Sequence, residues 1–223
     1  MQKKHPLQIL PSIIAADFGH LADEVKRVEK AGADGLHVDI MDGHFVPNLT
    51  IGPKALAAFN RSSDLFMDVH IMVYNPFDLV ENLVKSGADR IVFHIEATEA
   101  PQDVIDYIKK CGVEAGIACN PETSTSLVMP FIGKVDAVLV MSVEPGFGGQ
   151  TFLYRVTEKI EDLSAEIVAR KLPTKIIIDG GINLETGKKA VQAGTDVLVA
   201  GTHLFQAKDM GAAISAMRSL RTS

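Results

Sequence analysis

Short apolar runs of four to seven residues alternate with longer amphipathic segments along the whole chain. Most of these runs are rich in Val and Ile, which is typical of strands that are buried on both faces of a parallel sheet. The pattern therefore predicts eight strands, at Leu7–Leu10, Gly35–Ile40, Leu65–Ile71, Asp89–His94, Glu114–Cys119, Ala137–Met141, Lys175–Ile178 and Val197–Ala200.

The segments between these runs have the spacing of amphipathic helices. Leu21, Val25 and Val28 fall on one helical face, and similar stripes recur around residues 104–108 and 156–163. Three of the predicted helices end in a similar phrase, in which a glycine suited to a left-handed C-cap leads directly into the next strand. These phrases are Ala31–Asp34, Ser86–Asp89 and Ala193–Asp196.

Eight strands, each followed by a helix, indicate the α/β class and a closed (β/α)8 barrel, the TIM barrel. The chain shows neither a long insertion nor a second block of composition, so we expect one catalytic domain over residues 1–223. An open, doubly wound sheet is the alternative. The longest predicted loops follow strands two and six, at the barrel end where such folds carry their chemistry.

Composition narrows the classes of partner. The formal net charge of −6 argues against nucleic acid or an anionic membrane as a partner, since either requires a basic surface. Two cysteines, Cys111 and Cys119, are too few for a disulfide scaffold, and the first residues lack the apolar run of a signal peptide. We therefore expect a cytoplasmic protein, and we expect it to be a homo-oligomer.

Polar residues stand at strand ends where packing alone would not select them. Because side chains alternate along a strand, His37 and Asp39 share one face of strand two. His70 ends strand three and Asp179 ends strand seven. Two imidazoles and two carboxylates at one barrel mouth suit a single divalent cation, which can be Zn²⁺, Mn²⁺, Fe²⁺ or Co²⁺ because these ligand types do not choose among them. Asp68 is not one of these four residues, and we expect it to be a partner of a histidine ligand.

The two aspartates suggest proton transfer on two faces of a substrate. Strands two and seven lie three apart around an eight-stranded barrel, so Asp39 and Asp179 would approach a ligand from different sides. One carboxylate could remove a proton beside a carbonyl and the other could return one on the opposite face, with a metal stabilising the enediolate. This chemistry is epimerisation by two bases, and a metal-assisted aldolase or a non-catalytic sugar-phosphate sensor are the alternatives.

Glycine-rich loops follow three neighbouring strands and predict a phosphate site. Glycine lets backbone N–H groups approach an anion closely, and the loops after strands seven and eight commonly bind phosphate in such barrels. Neither a Rossmann glycine motif in the right context nor a Walker A loop is present, which argues against a dinucleotide or nucleoside triphosphate. The loops span residues 143–150, 179–183 and 200–202.

Several phrases together resemble the ribulose-phosphate 3-epimerase family. They span nearly the whole chain in the order that the family has, and the two long phrases in the loops after strands two and six are highly specific together. They are Pro11–Ile13, His37–Thr50, Asp68–Val73, Met141–Gln150 and Ile178–Ile182. The resemblance implies interconversion of D-ribulose 5-phosphate and D-xylulose 5-phosphate, in the pentose phosphate pathway, with one divalent metal on His37, Asp39, His70 and Asp179.

The resemblance also implies roles for individual residues. Asp39 and Asp179 match the family's acid–base pair. The residues that match substrate-binding positions are Ser12, His70, the methionine collar of Met41, Met72 and Met141, and the loop residues Gly146, Phe147, Gly148, Gly149, Gly180, Gly181, Gly201 and Thr202.

The chain departs from the family pattern at one place. The family usually has serine at position 202 and a small residue at 203, where this chain has Thr202 and His203. Threonine retains the hydroxyl, whereas His203 could either add a donor beside the phosphate or face solvent. The related allulose-6-phosphate 3-epimerases share the metal residues, so a hexulose phosphate is the alternative substrate. The intact glycine pairs at 148–149 and 180–181 favour the pentulose phosphate.

Overall fold

The structure, a computed structural model, describes residues 6–221. Within this range the strands are β1 (Gln8–Pro11), β2 (Leu36–Met41), β3 (Met67–Met72), β4 (Arg90–His94), β5 (Glu114–Cys119), β6 (Ala137–Met141), β7 (Lys175–Asp179) and β8 (Val197–Ala200). The α-helices are α1 (Leu21–Lys30), α2 (Pro53–Ser62), α3 (Phe77–Lys85), α4 (Pro101–Lys110), α5 (Val156–Ala169), α6 (Leu184–Ala193), α7 (Thr202–Phe205) and α8 (Met210–Arg218).

The eight strands are parallel and form one sheet in the order β1-β8-β7-β6-β5-β4-β3-β2. An isolated parallel bridge between Ser12 and His37 joins the two remaining edges, β1 and β2. This closure confirms the predicted (β/α)8 barrel and rules out the open doubly wound sheet. The predicted strands lie within about two residues of the observed ones.

The prediction that every strand leads into an α-helix is wrong for β5. That strand is followed by two short 3₁₀ helices, Thr125–Leu127 and Met129–Phe131. The intervening sequence contains Pro121, Pro130 and a run of Ser and Thr. Proline lacks the amide hydrogen that an interior helical position needs, and Ser and Thr compete for backbone hydrogen bonds, so this segment forms turns.

Apolar side chains form two layers around the sheet. One layer lies between strands and helices and contains the predicted helical stripes, including Val25, Val28, Val104, Ile160 and Leu163. The other consists of buried residues that alternate along the strands, including Leu139, Met141, Ile177, Val197 and Val199. This alternation places Asp179 on the same face of β7 as Ile177. No helix within residues 6–221 combines the length and the apolar character needed to cross a membrane.

The glycines that were predicted to end three helices adopt the left-handed conformation. Gly32, Gly87 and Gly194 have φ values of 78°, 97° and 119°. The aspartate that follows in each phrase has a second role, which the sequence pattern did not reveal. Asp89 accepts a hydrogen bond from Met67 N through its Oδ2 (2.7 Å), while its own N–H donates to Met67 O (3.0 Å).

The same reciprocal pair recurs at four places around the barrel. In each case an aspartate that precedes an even-numbered strand binds both backbone groups of one residue on the preceding strand. The pairs are Asp34 with Ile9, Asp89 with Met67, Asp136 with Ala115 and Asp196 with Ile176. The aspartates therefore join the strands two by two at the end of the barrel opposite the strand termini that carry His70 and Asp179.

We predict that Asp89→Ala lowers the free energy of unfolding by about 1–2 kcal/mol, because Met67 N loses a charged acceptor. Asp89 suits the test because no ion pair involves it among the described residues. Asp89→Asn retains an acceptor oxygen and should cost less than half as much. Urea unfolding of the three proteins measures this difference, and equal losses in both variants would contradict it.

Candidate metal centre and active site

One cluster contains His37 and Asp39 from β2, His70 from β3 and Asp179 from the end of β7. One ligand atom from each of the four residues lies within 4.8 Å of the others. His37 Nε2 is 3.2 Å from Asp39 Oδ1 and 3.7 Å from Asp179 Oδ2, and His70 Nδ1 is 3.0 Å from Asp39 Oδ1. Three of the four residues are buried, and 16% of the Asp179 side chain is exposed.

Strand register brings these side chains together. In the parallel pair β2–β3, His37 lies opposite Asp68 and Asp39 lies opposite His70. Asp179 ends β7, which reaches β2 through β8 and β1. The two carboxylates therefore approach the cluster from strands three apart, as the sequence predicted.

A divalent cation fits this group of donors. His37 Nε2 is fully buried and forms no hydrogen bond, although Asp39 Oδ1 lies close by. An imidazole nitrogen that is buried without a partner is costly, and a cation between two imidazoles and two carboxylates would satisfy it. The two-nitrogen, two-oxygen set suits a first-row divalent ion or zinc.

Each histidine of the cluster has a partner on its other ring nitrogen. His37 Nδ1 is 2.8 Å from Asp68 Oδ2, and Asp68 Oδ1 accepts a hydrogen bond of 2.7 Å from Arg90 Nε. This arrangement agrees with the predicted supporting role of Asp68. His70 Nε2 is 2.9 Å from His94 Nε2, and His94 Nδ1 is 3.1 Å from Glu96 Oε2.

The electrostatic environment shifts the pKa values of the two aspartates in opposite directions. Burial alone would raise the pKa of Asp39, but His37 and His70 outweigh it and hold that pKa well below its usual value. Burial, followed by repulsion from Asp39, raises the pKa of Asp179 to about 7. Burial lowers the pKa of His37, yet the charges of Asp39 and Asp68 raise it overall. In the metal-free site the two carboxyl groups therefore lose their protons at well-separated pH values.

A cavity of about 560 Å³ opens above the cluster. Asp39 and Asp179 contribute to its lining, whereas His37 and His70 do not and lie buried behind them. The other predicted site residues that line it are Ser12, Met41, Met72, Met141, Gly146, Phe147, Gly148, Gly149, Gly180, Gly181, Gly201 and Thr202. A volume of this size is ordinary for a small-molecule site.

The glycine loops fit tightly against one another. At Gly181, where φ is +62°, a Cβ atom would lie 2.8 Å from Phe152 N and 2.9 Å from Gln150 O. Ser142 Oγ donates to the carbonyl oxygens of Asp179 (2.7 Å) and Gly180 (2.6 Å). Close packing between the loops after β6 and β7 thus requires glycine at 181, whatever ligand the cavity binds.

Two features of the site were not assigned from the sequence. His94 contacts His70, and the sequence does not reveal this contact because a single histidine at a strand end gives no signal of its partner. His203 lines the cavity, and its Nε2 is buried without a hydrogen bond. Its place beside Thr202 on the short helix α7 puts it next to the predicted phosphate loops.

Together the fold and this site define a (β/α)8-barrel protein with a candidate divalent metal centre beneath a ligand cavity. Residues 8–205 match the model of the ribulose-phosphate 3 epimerase family. The chain belongs to the ribulose-phosphate 3-epimerase family.

Curated relatives with the name ribulose-phosphate 3-epimerase cover most of the chain. One from Chlamydia muridarum is 48% identical over 92% of this chain and 90% of its own length. Relatives from Methanocaldococcus jannaschii and Bacillus subtilis are 45% and 41% identical, each over 95% of this chain, and the matches cover 90% and 98% of those proteins.

Solved structures share the barrel at low sequence identity. A mutant tryptophan synthase α-subunit from Pyrococcus furiosus aligns over 100% of both chains with a TM-score of 0.66 and 14% identity. Phosphoribosyl anthranilate isomerase from Thermus thermophilus aligns over 97% of this chain and 98% of its own, with a TM-score of 0.66 and 13% identity. These similarities support the fold alone.

We predict that Asp179→Asn stabilises the metal-free protein. An unfolded aspartate has a pKa of about 3.9, whereas the pKa of Asp179 in the fold is raised to about 7. Between these values the folded state holds a proton that the unfolded state has lost, so the native protein loses stability as the pH rises through this window. Asparagine cannot ionise and avoids that loss.

The expected gain in the free energy of unfolding is about 1–2 kcal/mol near pH 8, and it should shrink as the pH falls towards about 4. Urea unfolding with a chelator present, at a series of pH values, measures it. A variant no more stable than the wild type near pH 8 would show that the buried carboxyl carries no such cost.

Proposed function

We propose that this protein interconverts D-ribulose 5-phosphate and D-xylulose 5-phosphate by moving a proton at C3. The observation that carries the proposal is the buried cluster at the cavity floor, in which Asp39 and Asp179 approach from strands three apart. Relatives at 41–48% identity with the name ribulose-phosphate 3-epimerase support the choice of substrate.

The proposed reaction uses the two aspartates as a pair. One carboxylate takes the C3 proton, and the electrons of that C–H bond move into the C2 carbonyl to give an enediolate. The other aspartate, as the acid, delivers a proton to the opposite face of C3, and the C2 carbonyl forms again. Because the two carboxylates come from different strands, either can act as the base while the other, once it carries a proton, acts as the acid.

Contacts around Asp39 fix its orientation for this role. Its Oδ1 faces His37 and His70, while the hydroxyl of Ser12 donates to Oδ2 at 2.6 Å. Ser12 lines the cavity beside Asp39, so it can hold the carboxylate and also meet the substrate. We infer that the four-residue cluster holds one divalent ion, with zinc preferred because of the resemblance to the family, and that this ion would stabilise the negative charge of the enediolate.

The remaining cavity walls suit a sugar phosphate. Met41, Met72 and Met141 provide an apolar collar that keeps water from the carbanion. We infer that the phosphate binds to backbone N–H groups in the loops around Gly148, Gly180 and Gly201, because an acidic chain needs such local donors for an anion.

Incubation of the metal-loaded protein with ribulose 5-phosphate in D2O tests the two-base reaction. We expect xylulose 5-phosphate with deuterium at C3, detected by NMR or mass spectrometry. Asp39→Asn or Asp179→Asn should reduce turnover by at least about 100-fold, because each variant removes one proton carrier. The matched surface variant Asp103→Asn, on the exposed side of α4, should retain wild-type turnover. Full activity in either active-site variant would refute the assignment.

A direct comparison with allulose 6-phosphate tests the substrate class. We expect kcat/KM for ribulose 5-phosphate to exceed that for allulose 6-phosphate by at least about 10-fold, the discrimination that a pocket fitted to the shorter sugar can provide. Steady-state rates with each sugar phosphate under the same metal loading provide the ratio. A preference for the hexulose phosphate would reassign the substrate while leaving the two-base chemistry in place.

A further inference from the structure

His94, at the end of β4, links the candidate metal centre to the loop that follows β5. Its Nε2 is 2.9 Å from His70 Nε2, and its Nδ1 is 3.1 Å from Glu96 Oε2. The ring is fully buried, stacks on His70 with centroids 5.0 Å apart, and is covered by Phe45 at 4.8 Å. Water therefore has no route to either nitrogen of His94.

Glu96 fixes the direction of hydrogen bonding along this chain. Its Oε1 accepts hydrogen bonds from Asn120 N (2.8 Å) and from the hydroxyl of Thr123. An ionised carboxylate only accepts, so the nitrogen that faces Oε2 must carry a hydrogen, and this nitrogen is His94 Nδ1. The neutral ring then presents a lone pair on Nε2.

This direction determines which nitrogen of His70 can bind a cation. With a lone pair on His94 Nε2, the hydrogen between the two rings belongs to His70 Nε2. A neutral His70 then has its lone pair on Nδ1, the atom 3.0 Å from Asp39 Oδ1 in the cluster. His37 has the reverse arrangement, since Asp68 contacts its Nδ1 and leaves Nε2 for the cluster.

We propose that His94 and Glu96 are positioning residues that hold His70 in the tautomer with a free Nδ1 and thereby strengthen metal binding. The proposal rests on the metal centre proposed above. It adds a chain of hydrogen bonds outside the four candidate ligands, which runs from the loop after β5 through Glu96 and His94 to His70. Partners of this kind commonly change metal affinity by about 10–100-fold.

Glu96→Gln tests the chain with almost no change of volume. Asn120 N and Thr123 still require an acceptor, so the amide oxygen of glutamine stays with them and its NH2 group turns to His94 Nδ1. His94 must then carry its hydrogen on Nε2, which opposes the hydrogen on His70 Nε2. We expect the dissociation constant for zinc, measured by competition with a chromophoric chelator, to rise by about 10–100-fold.

Two control variants separate this role from a merely structural one. Thr123→Val removes one contact of Glu96 but keeps the carboxylate, so it should lower the Tm and leave the zinc dissociation constant within about twofold, below the usual effect of a ligand-supporting group. Glu122→Gln makes the same chemical change on the exposed part of the same loop and should bind zinc as the wild type does. An equal loss of affinity in Thr123→Val and Glu96→Gln would overturn the proposal.

A second variant and a spectroscopic signature complete the test. His94→Phe keeps a ring of similar size beside Phe45 and removes both nitrogens, and we expect it to weaken zinc binding in the same range as Glu96→Gln. In the zinc-loaded wild type, ¹⁵N NMR should show the hydrogen of His70 on Nε2. Wild-type zinc affinity in both variants, or a hydrogen on His70 Nδ1, would refute the chain. Failure of the wild type to bind zinc would instead refute the metal centre itself.

Discussion

The cost of burying charge is the constraint that organises this molecule. Asp39, His37 and His70 have almost no exposed surface, and an isolated charge in such surroundings would be several kcal/mol less stable than in water. Each of these side chains is therefore placed against a group of complementary charge or hydrogen-bonding capacity. His37 Nε2 is buried without a hydrogen bond although Asp39 Oδ1 is 3.2 Å away, and this is the strongest physical sign of a cation at this point.

The interactions that offset the cost of burial extend outward from the cluster in two directions. On one side, Asp68 contacts His37 and is itself held by Arg90, whose charge is shared with Glu114 at 3.2 Å. Burial would raise the pKa of Asp68, but Arg90 and His37 keep it well below its usual value. On the other side, burial lowers the pKa of His94 to about 4, so this ring stays neutral between His70 and Glu96. The two sides are therefore chemically different, because His37 contacts a charged aspartate whereas His70 contacts a neutral histidine.

Sequence patterns predicted the features of the fold and site that depend on periodicity. They did not predict the features that depend on packing between distant segments. Alternation along β2 and β3 was sufficient to place His37, Asp39 and His70 on one face, and the strand order then brought Asp179 to them. The contact of His94 with His70 depends on how far the two rings reach between the neighbouring strands β3 and β4. Residue spacing in the sequence does not encode that distance.

The turns after β5 and the paired aspartates mark the same limit in the fold. The predicted helix after β5 was wrong because the prolines and hydroxyl residues of this segment prevent a continuous helix. The phrases ending in Asp34, Asp89 and Asp196 were interpreted as helix ends, and the glycines confirmed that. Their carboxylates, however, bind the strand that comes before the helix, and a local pattern contains no information on that partner.

Asp39 and Asp179 have the same side chain and different surroundings, and this difference shifts their pKa values in opposite directions. Asp39 is held at both oxygens, by Ser12 on one side and by the histidines on the other. Asp179 retains partial exposure to the cavity and is repelled by the charge of Asp39. In the metal-free protein the carboxyl of Asp179 is therefore the more basic of the two, and a cation in the cluster would favour the ionised form of both.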